Sequence, residues 1–281
     1  MDNLTETNIT DIPPAQVRLV TSAKGGVGKS TVCANLGAAL AMSGSRVLLI
    51  DCDIANRCLD LMLGLENEVL WGIRDVCDGA VSLSDAIYAS PTLPDLHLLA
   101  GSRVTTDEIP ALTEALPACI REAETLGYDH ILIDTPGGLH EILFAASALV
   151  CEALIVSSAQ ATAIRSAEHT AQLLEERGIS SLRLIINQFM AADALAPRRF
   201  RTARSTKRAR EAAVSALFST VDTVSLPLLG VIPFDSDLWE MQNRGITVEH
   251  PSLSDTFFAR AHMNIAGRIG GRSIPLFSTE A

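Results

Sequence analysis

The sequence predicts an α/β fold in which a doubly wound, mostly parallel sheet carries helices on both faces. Three observations lead there. Short runs of continuous apolar residues recur along the chain, amphipathic stretches of helical length separate them, and the first run opens into a glycine-rich loop followed by a helix. A strand that is apolar without alternation is buried on both faces, and helical crossovers make neighbouring strands parallel.

Strands are expected at 17–21, 46–51, 96–99, 130–134, 153–157, 182–187 and 229–232, with helices at 30–42, 82–89, 112–126, 164–177 and 205–218. No repeat, low-complexity linker or composition break divides the chain, so one domain over 17–269 is the simplest organisation. The 281 residues are enough for a substantial core, and 48% hydrophobic with 20% charged residues excludes extended disorder. Residues 1–16 (MDNLTETNITDIPPAQ) are polar and acidic with adjacent prolines, which predicts a disordered arm and is the opposite of a signal peptide. Residues 270–281 are read as a short tail.

A net charge of −11 argues against a protein that coats nucleic acid with its whole surface. The segment Arg198–Arg210 (RRFRTARSTKRAR) stands apart, with seven basic residues and no acid. The longest apolar runs are strand-sized, too short to span a bilayer. Six cysteines at 33, 52, 58, 77, 119 and 151 contain no C-x-x-C pair, so neither a zinc nor an iron–sulfur signature is present. The expectation is a reduced, cytoplasmic protein. Six scattered histidines give no metal-ligand spacing, and no G-x-S-x-G motif supports nucleophilic catalysis.

The most informative stretch is Lys24-Gly25-Gly26-Val27-Gly28-Lys29-Ser30-Thr31, lying between the first strand and the first helix. Glycines let backbone amides converge on phosphate oxygens, and the helix N-terminus adds partial positive charge. Lys29 is placed to reach the β- and γ-phosphates, and the Ser30 hydroxyl to ligate Mg²⁺. Ala23 stands where the generic loop has its first glycine. A dinucleotide loop has no use for Lys29-Ser30, so the ligand expected is a nucleoside triphosphate.

Two further strands end in acids. Asp51 and Asp53 close the second, and Asp134 closes the fourth before Thr135-Pro136-Gly137-Gly138. Carboxylates at the C-terminal edge of a parallel sheet face its ligand crevice. Asp134 fits an Mg²⁺ site, and the two glycines let the following loop rearrange around the γ-phosphate.

The K-G-G-V-G-K-S loop resembles the deviant Walker A of the MinD/ParA family of P-loop ATPases. The run Asp53-Ile-Ala-Asn-Arg-Cys-Leu-Asp-Leu-Met-Leu-Gly-Leu-Glu66-Asn67 is similar to the pattern DIGLRNLDLVLGLEN of its MinD branch. Softer matches are Ile186-Asn187-Gln188, Gly230-Val-Ile-Pro233-Phe-Asp235 and Asn243-Arg244-Gly245, so the resemblance covers residues 17–269. It implies that Lys24 reaches across a homodimer to the partner's ATP, that Asp53 orients the attacking water and that Asp51 supports the Mg²⁺ shell. It also implies that Asn187 and Pro233 lie at the adenine. Cys58 replaces the family's asparagine, which points to slower or partner-dependent hydrolysis, and Ala55 and Asn56 also depart from the pattern.

Leu253, Phe257, Ala261, Ile265 and Ile269 recur every four residues, which predicts a last helix packed on the sheet with Arg260, Asn264 and Arg268 on its surface. The Gly/Pro-broken tail is too short for the basic amphipathic membrane helix of the MinD branch. The Arg198–Arg210 cluster is the alternative contact for anionic lipid or DNA phosphate, against a solvated helix face or a protein-partner site. The resemblance implies a slow, activator-stimulated Mg-ATP-dependent dimerising ATPase that regulates division-site placement, cytoplasmic or peripheral at the inner membrane face. Two other functions stay open: a ParA-like segregation or flagellar-placement ATPase, and a nucleotide-gated adaptor with little hydrolysis.

Overall fold

The computed structural model describes residues 15–53, 56–105, 107–138, 140–190, 212, 214–235, 241 and 245–276. Among them eight strands form one sheet: β1 (Gln16–Thr21), β2 (Val47–Asp51), β3 (Ile87–Ala89), β4 (Leu96–Leu99), β5 (His130–Asp134), β6 (Glu152–Ser157), β7 (Leu182–Phe189) and β8 (Leu228–Pro233). Their order is β3-β4-β2-β5-β1-β6-β7-β8. Every pairing is parallel except β3 with β4. The mostly parallel sheet is the expected one, with all seven apolar runs as strands.

The helices are α1 (Lys29–Met42), α2 (Leu59–Met62), α3 (Ile73–Cys77), α4 (Ile109–Glu124), α5 (Glu141–Ser147), α6 (Ala161–Glu175) and α7 (Phe257–Ile269), and residues 214–221 are also helical. One face of the sheet is covered by α1 and α7, whose Leu36, Leu40, Phe258 and Ile265 pack on Leu49, Leu132 and Ile185. On the other face α4, α5 and α6 bury Leu116, Ile120, Leu143, Ile164 and Leu174 against Leu19, Ile50 and Ile133. Helix α1 is apolar nearly all round because it lies between the sheet and α7. Gly37 lets it come close, since a Cβ there would stand 2.7 Å from Leu49 Cδ2.

Four expectations change. The helix expected at 82–89 is a 3₁₀ turn, Leu83–Ala86, followed by β3. Ser82 Oγ binds the Asp85 carboxylate at 2.6 Å and the Asp85 N–H at 3.3 Å, local bonds that compete with helix. β-forming Ile87 and Tyr88 then pair with Leu99 and Leu98. The chain is in strand from Gln16, inside the arm read as disordered, while residues 1–14 lie outside the described set.

Helix α7 also turns a different face inward: Phe258, Ala259, His262, Ile265 and Ala266 are buried, while Phe257 is 54% exposed. Thr256 caps α7 at the Ala259 N–H, and Leu253 is buried outside the helix. Finally, Arg268 is no plain surface residue. Its guanidinium donates to the carbonyls of Leu229 on β8 (2.8 Å), Ile274 (3.0 Å) and Pro275 (2.6 Å), folding the start of the tail back onto the sheet. No helix among the described residues is long and apolar enough to cross a membrane. The expected helix at 205–218 has its first part, 205–211, outside the described residues, as does the whole Arg198–Arg210 cluster.

Candidate nucleotide site

The site forms where β1, β2 and β5 end side by side. Gly28 caps α1 with φ +81°, and Gly26 has φ +78°, left-handed values that side chains rarely adopt. The loop after β5 is fastened to the one after β1. Gly138 N–H donates to Ser22 O at 2.8 Å, and Thr135 donates to Val20 O through both its amide and its hydroxyl. The two loops cross closely at Gly137, where a Cβ would lie 3.3 Å from Gly25 Cα.

Lys29 is buried at the centre. Its Nζ lies 2.7 Å from Asp134 Oδ1, 3.6 Å from Asp53 Oδ2 and 3.3 Å from Ser30 Oγ. Burial opposes its charge, but attraction and hydrogen bonding to Asp134, with Asp53 beyond, carry its pKa above the ordinary lysine value. Lys24 by contrast is exposed, and among the described residues no ion pair includes it.

Asp51 and Asp134 stand opposite each other in the β2–β5 register, both fully buried. Burial first, and then the neighbouring Asp134, lift the Asp51 carboxyl to about 7. Burial likewise raises Asp134 despite the pull of Lys29. The Asp51 carboxylate, expected in the Mg²⁺ shell, faces backbone: Oδ1 accepts from Asp53 N–H (2.9 Å), and Oδ2 from Cys58 and Leu59 N–H (3.2 Å each). Asp51 therefore holds the segment that carries Asp53. Gly101, one residue past β4's Ala100 neighbour, lets a loop pack on it, since a Cβ there would be 3.1 Å from Asp51 Cγ. Sequence reasoning missed Gly101, although a glycine two residues past the expected strand 96–99 was its signal.

Ser30 Oγ also meets the Cys58 thiol, which burial pushes up to about 11. Asn56, another departure from the family pattern, directs its backbone N–H to Asp53 Oδ1 at 3.2 Å. Arg57, at φ +26°, pairs with Asp60 at 2.8 Å.

Asn187 is 4% exposed, and its Nδ2 donates to Val27 O at 2.9 Å, so it braces the phosphate loop from below. Pro233 ends β8 in register with Phe189. Gly245 (φ +68°) packs on Gly64, where a Cβ would come within 2.7 Å of the Gly64 Cα, so two separately matched motifs touch. Ile54, Ala55, Asn243 and Arg244 lie outside the described residues.

The donor set suits Mg²⁺ bound together with a nucleotide. Asp134 Oδ2 is buried with no hydrogen-bond partner, and Ser30 Oγ lies beside the same lysine. Mg²⁺ keeps most of its waters and takes one or two protein ligands plus phosphate oxygens. Correspondingly, among the described residues no group of three acidic, Cys or His side chains forms a cage.

A family model described as "ParA: NUBPL iron-transfer P-loop NTPase" matches residues 14–269. The septum site-determining protein MinD of Thermotoga maritima is 34% identical over 263 residues, covering 92% of this chain and 90% of its own length. The chain belongs to the ParA/MinD family of P-loop NTPases.

Solved MinD structures share the fold. The MinD cell division protein of Aquifex aeolicus aligns with a TM-score of 0.73 and 31% identity, over 94% of this chain and 100% of its own. It also occurs in a MinC:MinD complex, with the same score and identity and 99% of that chain covered. MinD of Pyrococcus horikoshii, complexed with Mg-ADP, gives 0.72 and 27% over 91% and 96%.

Proposed function

We propose that this chain is a MinD-type ATPase that binds Mg-ATP, dimerises around it and places the cell-division site. One observation carries the reading: a single loop holds Lys29 between Asp134 and Asp53 while leaving Lys24 exposed at its entrance. Arriving phosphates draw Lys29 from its carboxylates, because they bring more negative charge to the helix N-terminus. That frees Asp134 for Mg²⁺, alongside Ser30. Bound Mg²⁺ supplies neutralisation of the phosphate charge. Asp53 orients the attacking water, and Asp51 acts as a positioning residue by holding the Asp53 and Cys58 backbone.

Lys24 reaches the partner's nucleotide and stabilises the developing charge in trans. Homologous septum-site proteins and the MinC:MinD complex of A. aeolicus support the division-site role and a protein effector. With Ile274 and Pro275 held by Arg268, the Arg198–Arg210 cluster is the proposed contact with an anionic surface.

Sedimentation velocity and liposome co-sedimentation test this together. Wild type and Asp53→Ala should dimerise in ATP and not in ADP, whereas Lys24→Ala should bind ATP and stay monomeric. Asp53→Ala should pellet with anionic liposomes in ATP. A Lys24→Ala protein that dimerises normally overturns the trans role, and a supernatant fraction unchanged by ATP overturns the membrane contact. The Cys58 thiol against Ser30 favours a second reading, a nucleotide-gated adaptor. Nucleotide-dependent dimerisation with no activator-dependent turnover would establish it.

A further inference from the structure

A triphosphate lying on this sheet edge has only one direction in which to place its base. The carboxylates at the γ-phosphate end, Asp53 just past β2 and Asp134 closing β5, stand on one side of β1. The base must therefore leave the phosphate loop over the other side, toward β7 and β8. There the sequence resemblance assigned Asn187 to the base. In the structure that side chain is buried, and its amide nitrogen is committed to Val27 O beneath the loop.

What the same edge does expose is apolar. Phe234 follows Pro233 at the end of β8 and is 51% exposed, and Met190 follows β7 and is 41% exposed. They are neighbours, since the Phe234 N–H donates to Phe189 O at 3.0 Å. Phe234 directly follows β8, so it stands at the same C-terminal sheet edge as the phosphate loop. Ile232, the last buried residue of β8, lies in the core beneath α1 and α7 that also holds Val27 of that loop. Asn187 shares that face with Ile185 and touches the same loop. A large aromatic ring left half in water at this edge, hydrogen-bonded through its backbone to the strand that carries Asn187, is placed for a flat ligand.

We infer that Phe234 is a specificity-determining residue of the nucleotide site, providing the ring on which the nucleobase stacks. The inference rests on the nucleotide reading above and deepens it. Recognition by stacking depends on the face of the base rather than on its hydrogen-bonding edge. Phe234 thus contributes to the affinity for a complete nucleotide and nothing to the affinity for its phosphates.

Titration calorimetry of the full chain with Mg²⁺, using ATP and separately inorganic tripolyphosphate, tests it. Phe234→Ala should weaken ATP about ten-fold, within the range that removal of one stacked base gives, and leave tripolyphosphate unchanged. Phe234→Trp should restore ATP binding, and its additional tryptophan emission should be quenched by ATP and not by tripolyphosphate. ATP affinity unaltered in Phe234→Ala overturns the inference, and so does an equal loss for both ligands, which marks a structural role. Wild-type chain that binds neither ligand overturns the nucleotide reading itself. Wild type that binds both with equal affinity keeps that reading and removes only the stacking ring.

Discussion

Lys29 Nζ and Asp134 Oδ1 stand 2.7 Å apart in a pair almost wholly withdrawn from solvent, the lysine side chain 6% exposed and the aspartate 0%. The pair joins the first turn of α1 to the last residue of β5, and so ties the phosphate loop to the strand that ends in the loop facing it. Around it are three carboxylates, Asp51, Asp53 and Asp134, and one ammonium. One buried cation thus answers three carboxylates.

That imbalance predicts unequal costs for removing either partner. Lys29→Ala leaves three carboxylates in one buried corner with no cation, and should destabilise the nucleotide-free protein by about 3 kcal/mol or more. Asp134→Asn keeps the shape, leaves Lys29 with Asp53 and relieves Asp51 of a charged neighbour, so its cost should be nearer about 1 kcal/mol. Urea unfolding without nucleotide measures both. Equal costs would show that Lys29 does not neutralise the cluster as a whole.

Gly28 carries two separate constraints. Its φ of +81° disfavours any side chain, and a Cβ would collide with the Asn187 amide. Gly28→Ala should therefore cost about 3 kcal/mol, of which about 1–2 kcal/mol is backbone strain. In an Asn187→Ala background the collision is gone and only the strain remains, so the second cost should be the smaller. Asn187→Ala alone strips Val27 O of a buried donor and should cost about 1–3 kcal/mol. A double-mutant cycle with no coupling between the two positions would contradict the contact.

What could be read in advance, and what could not, follows from the range of the forces involved. The strands were legible because Val47–Ile50 and Ile131–Ile133 are apolar without a break, and the phosphate loop because Gly26, Gly28, Lys29 and Ser30 must be contiguous to work. The resemblance supplied the roles of Lys24 and Asp53, which no local pattern states. The misread features depend on partners distant in sequence. Phe257 and Phe258 are equally apolar, and the packing of α7 on α1 and β8 decides which is buried. Arg268 looks like a surface residue until Leu229 and the returning tail place three carbonyls around it. Sequence gives the place of Asn187 on the sheet edge but not the Val27 carbonyl that its amide nitrogen reaches.

His262 supplies a pH dependence that does not involve the nucleotide site. It is fully buried in α7, its Nδ1 shares a proton contact with Phe258 O at 2.9 Å, and its Nε2 has no partner. Burial holds its pKa down at about 4, against about 6.5 in an unfolded chain. As pH falls below about 6.5 the unfolded chain takes up this proton before the folded one can. The contribution of neutral His262 is therefore complete above that pH and is lost progressively down to about 4. Between pH 7.5 and pH 5 the loss from this residue should be about 2 kcal/mol. His262→Leu keeps the volume and removes the titration, so its unfolding free energy should fall by about 2 kcal/mol less than that of wild type over the same interval. His130, also held down to about 4 by burial and by Arg18, is common to both proteins and cancels in the comparison. Parallel pH profiles for the two proteins would mean that the folded chain protonates His262 as readily as water does.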